Sequence, residues 1–202
     1  GHNEYSHVND GFFGFFDCIN NAEVSSTLFG TAATWLKQKG VTGKFIGPVN
    51  FSTNEPCGLL IEGFDSPPFL MQTYNAPYYA DLIDGLGFIK NVDLIAWHWD
   101  DKSYDDKSVR LLNALEERLK RNNIVIRKLN LKKFKEEAVK LREVYNSAWD
   151  HNDGFVPLTD DEFDYLAKDL KLILDPDFVL VAEQEGKIVA FGLALPNYNE
   201  IF

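Results

Sequence analysis

Residues 11–40, GFFGFFDCINNAEVSSTLFGTAATWLKQKG, place an aromatic run against a polar pair and then a helical pattern. Residues 11–19 read as a buried strand. From Ala22 to Lys39 the apolar positions Val24, Leu28, Ala32, Trp35 and Leu36 recur at helical spacing, and Gly40 stops the pattern. A strand feeding a helix N-terminus is a common phosphate site, because free N–H groups and the helix dipole face outward there. A backbone cradle of that kind uses glycines to turn successive N–H groups onto one point. The junction here, Cys18-Ile19-Asn20-Asn21-Ala22-Glu23, has no glycine, and no Lys or Arg lies between Gly11 and Trp35. Asn20 and Glu23 read as caps, so a capped helix accounts for the junction better than an anion site does.

Outward from this unit, residues 44–51 (KFIGPVNF) read as a second strand with Pro48 at an edge or bulge. A Gly-, Pro- and Asn-rich loop follows, then a short helix over 78–88 and a strand over 90–99. Residues 104–121 form a helix with an acidic start and a basic end, which suits the macrodipole. Asn122-Asn123 is the expected boundary, giving domains 1–121 and 122–202. In the second part, 124–130 alternates as a strand and 131–149 is helical. Thr159–Glu162 is a capping box opening a further helix to about Leu174, and 178–196 is a hairpin turning at Glu185-Gly186.

The chain has 202 residues, 45% of them apolar, and a net charge of −11. That charge, with no basic track, argues against nucleic-acid binding. No stretch reaches the roughly 20 apolar residues of a membrane span, so no membrane partner and a cytoplasmic location are expected. The two cysteines, Cys18 and Cys57, read as reduced thiols. His2, His7, His98 and His151 match no metal-ligand spacing, so no metal site is expected; His98 reads as a structural histidine in its strand. No GxSxG, GxGxxG or GxxxxGK[ST] occurs. Asp17, Glu62 and Asp65 lie near apolar residues, where burial would raise a carboxyl toward general-base use. The segments MQTYNAPYY (71–79) and NSAWDHNDGFVP (146–157) mix aromatics with Asn amides, a combination able to line a pocket for a polar ligand with an apolar body. They make Tyr78, Tyr79, Asn146, Trp149, Asn152 and Phe155 the candidate substrate-binding residues.

Taken together, residues 11–88 and the stretches IRKLN, NSAWDHNDGFVPLTDDEFDYLAKDL and FVLVAEQEGKIVAFGLALPNYN resemble tandem-domain GNAT-like proteins of the acyl-CoA N-acyltransferase superfamily. The resemblance implies an α/β (α+β) fold, a mixed but mostly antiparallel sheet flanked by helices. Laid on the family order, 11–99 correspond to the C-terminal half of one unit and 124–196 to the N-terminal half of the next. The chain then reads as a fragment or a circularly permuted complement. In such an arrangement 11–19 and 187–196 would be neighbouring strands of one sheet, and open edges would support a homodimer. The implied activity is acyl transfer from acyl-CoA (acetyl-CoA) to a small-molecule amine. The implied cofactor-binding residues are Phe15, Phe16, Asp17 and Cys18, whose N–H groups would polarise the thioester, and Asn75. Two departures accompany it. The family's Q/R-x-x-G-x-G/A loop falls on Ile19–Glu23, without its glycines, and the family's tyrosine acid falls on Ile83. Both departures imply an incomplete CoA site, and with it the alternative of a catalytically silent GNAT-like module that binds a small molecule or a partner.

Overall fold

A computed structural model describes residues 1–100, 102 and 105–200. The chain divides into two compact units. The first holds Gly1–Leu94, His151–Val156 and the described residues from Asn197 onward; the second holds the described residues of 95–150 together with Pro157–Pro196. The expected boundary at Asn122-Asn123 thus falls inside the second unit.

In the first unit, α1 (His2–Ser6) precedes β1 (Gly11–Phe12), α2 (Ala22–Gln38), β2 (Phe45–Ile46) and α3 (Tyr79–Asp84). β1 and β2 pair in parallel, Gly11 with Phe45 and Phe12 with Ile46. The pairing reaches one residue further through Phe13 N–H to the Ile46 carbonyl (2.9 Å). The strand expected over 11–19 then ends, because Phe15 turns into the left-handed region (φ 49°) and leaves the ladder. Rings replace ladder bonds as the packing device. Phe29 stands edge-on to Phe13, Phe45 and Phe88 and tilts against Phe16, with centroids 4.9–6.1 Å apart. Two glycines permit the close approach of these segments: a Cβ on Gly14 would lie 2.2 Å from the Val49 carbonyl oxygen, and one on Gly47 2.3 Å from that of Phe13.

α2 matches its expected span but turns a different face inward. Ser25 and Phe29 are buried, while Val24, Leu28 and Trp35 are exposed. Its cap is Asn21 rather than Asn20 or Glu23, the Asn21 side chain accepting from the Glu23 and Val24 N–H groups. The strand expected over 90–99 does not form. These residues carry no regular structure and all are exposed, Trp97 at 85% and His98 included, so His98 is not a core histidine. No described strand pairs with these residues, and an isolated strand leaves its N–H and C=O groups to water.

In the second unit, α4 (Asp106–Arg121) leads to β3 (Ile124–Lys128), α5 (Phe134–Trp149), α6 (Asp160–Ile173), β4 (Val179–Gln184) and β5 (Lys187–Leu193). Tyr104, the expected first residue of α4, lies outside the described residues. Asp105 caps this helix through the Ser108 N–H, and no residue of α4 is buried. The sheet is antiparallel in the order β3-β4-β5. Its hairpin turns where expected, with Glu185 and Gly186 both at positive φ (51° and 79°), the geometry of a two-residue primed turn. The Thr159 box also forms: Glu162 N–H donates to Thr159 Oγ1 (3.3 Å), and Thr159 N–H to Glu162 Oε2 (2.9 Å). The core joins Leu129, Val179, Val181 and Ile188 to Leu131, Phe134, Leu141, Val144, Leu174 and Phe191.

The α/β class is therefore realised with a three-stranded antiparallel sheet and a separate parallel pair. β5 pairs with β4, and β1 with β2. Among the described residues, the stretch expected as a strand over 11–19 keeps only Gly11–Phe12 as β1, and 187–196 keeps Lys187–Leu193 as β5. The cause is local: past Phe13 the first stretch is no longer extended.

Candidate functional site

The segment after β1 and the start of α3 collect several of the residues singled out from the sequence. Exposure alternates along the segment. Phe15 and Asp17 are exposed, Cys18 is buried and Phe16 packs inward on Phe29 and Tyr79. α3 brings two tyrosines to the same place. Tyr79 is buried; its hydroxyl donates to Asp17 Oδ1 in a short hydrogen bond and accepts from the Cys18 N–H (3.3 Å). Tyr78 OH donates to the Cys18 carbonyl (2.8 Å), and its ring stands edge-on to that of Tyr79 at 5.2 Å. The two tyrosines thus grip both backbone polar groups of Cys18, and the site is built on a pinned segment.

The hydrogen bond to Asp17 holds the Tyr79 proton, and with burial it pushes the phenol above its ordinary value of 10.0. Tyr79 therefore remains protonated at neutral pH and acts toward Asp17 as a donor.

On the exposed side, Asn50 Oδ1 accepts the Phe15 N–H (2.8 Å), and Phe15 and Phe51 meet edge-to-face at 5.2 Å. Both are phenylalanines at positive φ, 49° and 71°. They are 68% and 88% exposed, so burial does not offset the strain. Such backbone states cost on the order of 1–3 kcal/mol for a bulky residue and concentrate at ligand clamps.

The remaining candidates lie elsewhere. Asn75 spans a turn: its Oδ1 accepts the Leu60 N–H (2.7 Å) and its Nδ2 donates to the Leu60 and Ala76 carbonyls (3.3 and 3.0 Å). Asn146, in the second unit, is paired in the same way with Leu158, accepting its N–H (3.0 Å) and donating to its carbonyl (3.1 Å). Trp149 packs on Tyr145 and is 48% exposed. Asn152 and Phe155 belong to the first unit, where the Phe155 N–H donates to the Asn152 carbonyl (3.1 Å) and the Phe155 ring is buried. Their segment is anchored by Thr53 Oγ1 to the Gly154 carbonyl (3.1 Å) and Asn54 Nδ2 to that of Val156 (2.9 Å). Glu62 and Asp65 are both exposed. Phe51 and Asn50 were missed from the sequence, since nothing in KFIGPVNF announces a left-handed phenylalanine.

The fit to an acyl-CoA diphosphate can be judged at the same junction. The Glu23 and Val24 N–H groups already bond Asn21 Oδ1, and the Ser25 N–H bonds the Asn21 carbonyl (3.1 Å). With those donors taken and Glu23 in the first turn, this helix end does not fit a diphosphate. Of the amides expected to polarise a thioester, those of Phe15 and Cys18 are likewise engaged inside the protein.

Over 201 residues, 98% of its length, the chain is 40% identical to Protein YghO of Escherichia coli (strain K12). It is 34% identical over 194 residues, 95% of its length, to the Bacterial ceramide synthase of Caulobacter vibrioides (strain NA1000 / CB15N). The chain spans about half the length of these curated relatives, 50% and 49% respectively. No family model matches it, and no solved structure does. No helix among the described residues is long and apolar enough to cross a membrane.

Proposed function

We propose that the chain is part of a GNAT-like N-acyltransferase that joins an acyl group from acyl-CoA to an amine. The observation carrying this reading is the 34% identity to a protein named as a ceramide synthase, maintained over 95% of the chain. A ceramide is the amide of a fatty acid and a long-chain amino alcohol, so making one from those parts acylates an amine nitrogen. The resemblance of residues 11–88 and 126–199 to GNAT-like sequences points to the same reaction class. In this reading the chain contributes a pinned, partly aromatic surface around Asp17. The grip on the donor's diphosphate is not made by the α2 N-terminus.

The test mixes the chain with decanoyl-CoA and octylamine and looks for N-octyldecanamide by mass spectrometry. Thermal unfolding with decanoyl-CoA, acetyl-CoA or CoA alone runs beside it. The expected results are amide formation and a stabilisation by decanoyl-CoA; a ligand at 100 times its Kd contributes about 2.7 kcal/mol.

The second reading, a catalytically silent binding module, is favoured by the internally satisfied α2 N-terminus. No amide and no CoA-dependent stabilisation would leave it standing alone.

A further inference from the structure

We infer that Asp17, with the exposed rings of Phe15 and Phe51, forms the binding subsite for a primary amine bearing an apolar chain; this rests on the amine-acylating reading above. Three observations converge on it. First, Asp17 is exposed, and only its Oδ1 is engaged, by the Tyr79 hydroxyl. Among the described residues no Lys, Arg or His pairs with Asp17, and no hydrogen bond reaches its Oδ2. A carboxylate fixed by one oxygen, with the other free toward solvent, presents a defined acceptor to a cation. Primary amines are ammonium ions near neutral pH, so charge and hydrogen-bonding capacity match.

Second, Phe15 and Phe51 expose aromatic faces beside this segment, and an alkyl chain or an ammonium group can pack on such faces. Third, both exposed phenylalanines sit in left-handed backbone, and Asn50 Oδ1 accepts the Phe15 N–H while the two rings meet edge-to-face. An arrangement that exposes two paired rings, one of them two residues from a free carboxylate, suits a ligand with one charged end and one apolar body. The Tyr79–Asp17 bond gives Tyr79 a positioning role, because it fixes the carboxylate and does not meet the ligand.

The experiment is calorimetric titration of the whole chain with octylamine, octanol and propylamine, none of which needs an acyl donor. Octylamine is expected to bind. Octanol, lacking the charge, and propylamine, lacking most of the chain, are each expected to bind at least about tenfold more weakly. Asp17→Asn keeps an acceptor for Tyr79 and should preserve the near-UV spectrum while weakening octylamine about tenfold. Phe51→Gly separates a ligand role from a structural one. It should raise Tm by a few degrees, because glycine accepts the positive φ, and still weaken octylamine. Octylamine binding that Asp17→Asn leaves unchanged would overturn the inference, as would octanol binding equally well. So would a Phe51→Gly variant that alters oligomeric state but not amine binding, which would assign the rings to a second copy of the chain. Amine binding dependent on Asp17, without any response to acyl-CoA, would remove the acyl-transfer reading and leave the subsite. Acyl transfer with Asp17-independent amine binding would do the reverse.

Discussion

The two units solve the same burial problem with different materials. The second packs aliphatic side chains on a regular sheet, where alternation fixes the ladder positions and Val179, Val181 and Ile188 each retain 2% exposure or less. The first has only two short strands among its described residues and relies on rings: Phe13, Phe16, Phe29, Phe45 and Phe88 interlock around α2, and side-chain hydrogen bonds pin the irregular backbone. A ladder leaves little freedom to place a side chain in an unusual pose. A ring-packed unit can hold an irregular segment such as 14–18, and there the strained Phe15 and the free carboxylate occur. Regularity and candidate chemistry are thus separated along the chain.

The sheet unit depends most heavily on a partly buried charge network. Arg127 donates to Glu137 through Nη1 (2.7 Å) and Nη2 (3.0 Å) and to Glu183 through Nε (2.8 Å); Glu137 is 5% exposed. Arg127→Met leaves the Glu137 carboxylate buried without its cation and should cost about 3–5 kcal/mol. Urea unfolding followed by circular dichroism measures this, and a loss under about 1 kcal/mol, the value of an exposed pair, would mean that water reaches Glu137. In the ring-packed unit the matching change is Phe29→Ala, which removes the ring shared by Phe13, Phe16, Phe45 and Phe88. About 3–4 kcal/mol is expected from the usual cost of emptying such a site. If the unit instead collapsed around the space, the loss would fall well below that of Ile188→Ala in the sheet.

Helices α2, α5 and α6, the Thr159 box and the Glu185-Gly186 hairpin were legible in the sequence because each has a local cause: a period, a cap or a turn residue. The span of α2 was legible and its face was not. Val24, Leu28 and Trp35 fit an apolar stripe as well as Ser25, Phe29 and Leu36 do, and only the positions of Phe13 and Phe45 decide between them. The strand expected over 90–99 failed for a related reason. A strand needs a partner, and the partner is not encoded in the strand. At the candidate site, Asp17, Cys18, Tyr78 and Tyr79 were each singled out, but 60 residues separate Cys18 from Tyr78 and nothing local announces that they bond. Asn75 was singled out through the family resemblance and Asn146 for its amide, and both amides serve backbone turns.

Gly14→Ala tests the close approach inside the ring-packed unit. Its Cβ would meet the Val49 carbonyl at 2.2 Å, a backbone atom that cannot swing aside. A loss of about 2 kcal/mol is expected, with Tyr79 and Cys18 losing hydrogen-exchange protection first. No change in protection would show that the segment shifts freely.

The units should also differ in their pH limits. Glu137 is held below its ordinary 4.5, chiefly by the hydrogen bonds from Arg127. A depressed carboxyl contributes stability that is present above the unfolded value and lost as pH falls through the folded one. Acid below about pH 4.5 should therefore loosen the sheet unit through this group. Tyr79 is shifted the other way, raised by its bond to Asp17 and by burial. Its contribution is present below about pH 10 and is lost as pH rises through the folded value, so alkali should act on the ring-packed unit. Near-UV circular dichroism with Tyr79→Phe as the control reads the alkaline edge, and an unchanged edge in that variant would remove the assignment.

The smallest expected effect has the opposite sign. Gly30 lies in the middle of α2, exposed, and a Cβ there would meet nothing within 4 Å. Around it Thr27, Thr31 and Thr34 each return their hydroxyl to a carbonyl four residues back (2.8–2.9 Å). A glycine in a helix interior costs roughly 0.5–1 kcal/mol against alanine, and no contact within the chain offsets that cost. Gly30→Ala should therefore stabilise the isolated chain by about that amount, raising Tm by a few degrees in a scanning calorimeter. A loss of stability instead would mean that another helix approaches α2 at Gly30 closely enough for a single methyl group to obstruct it.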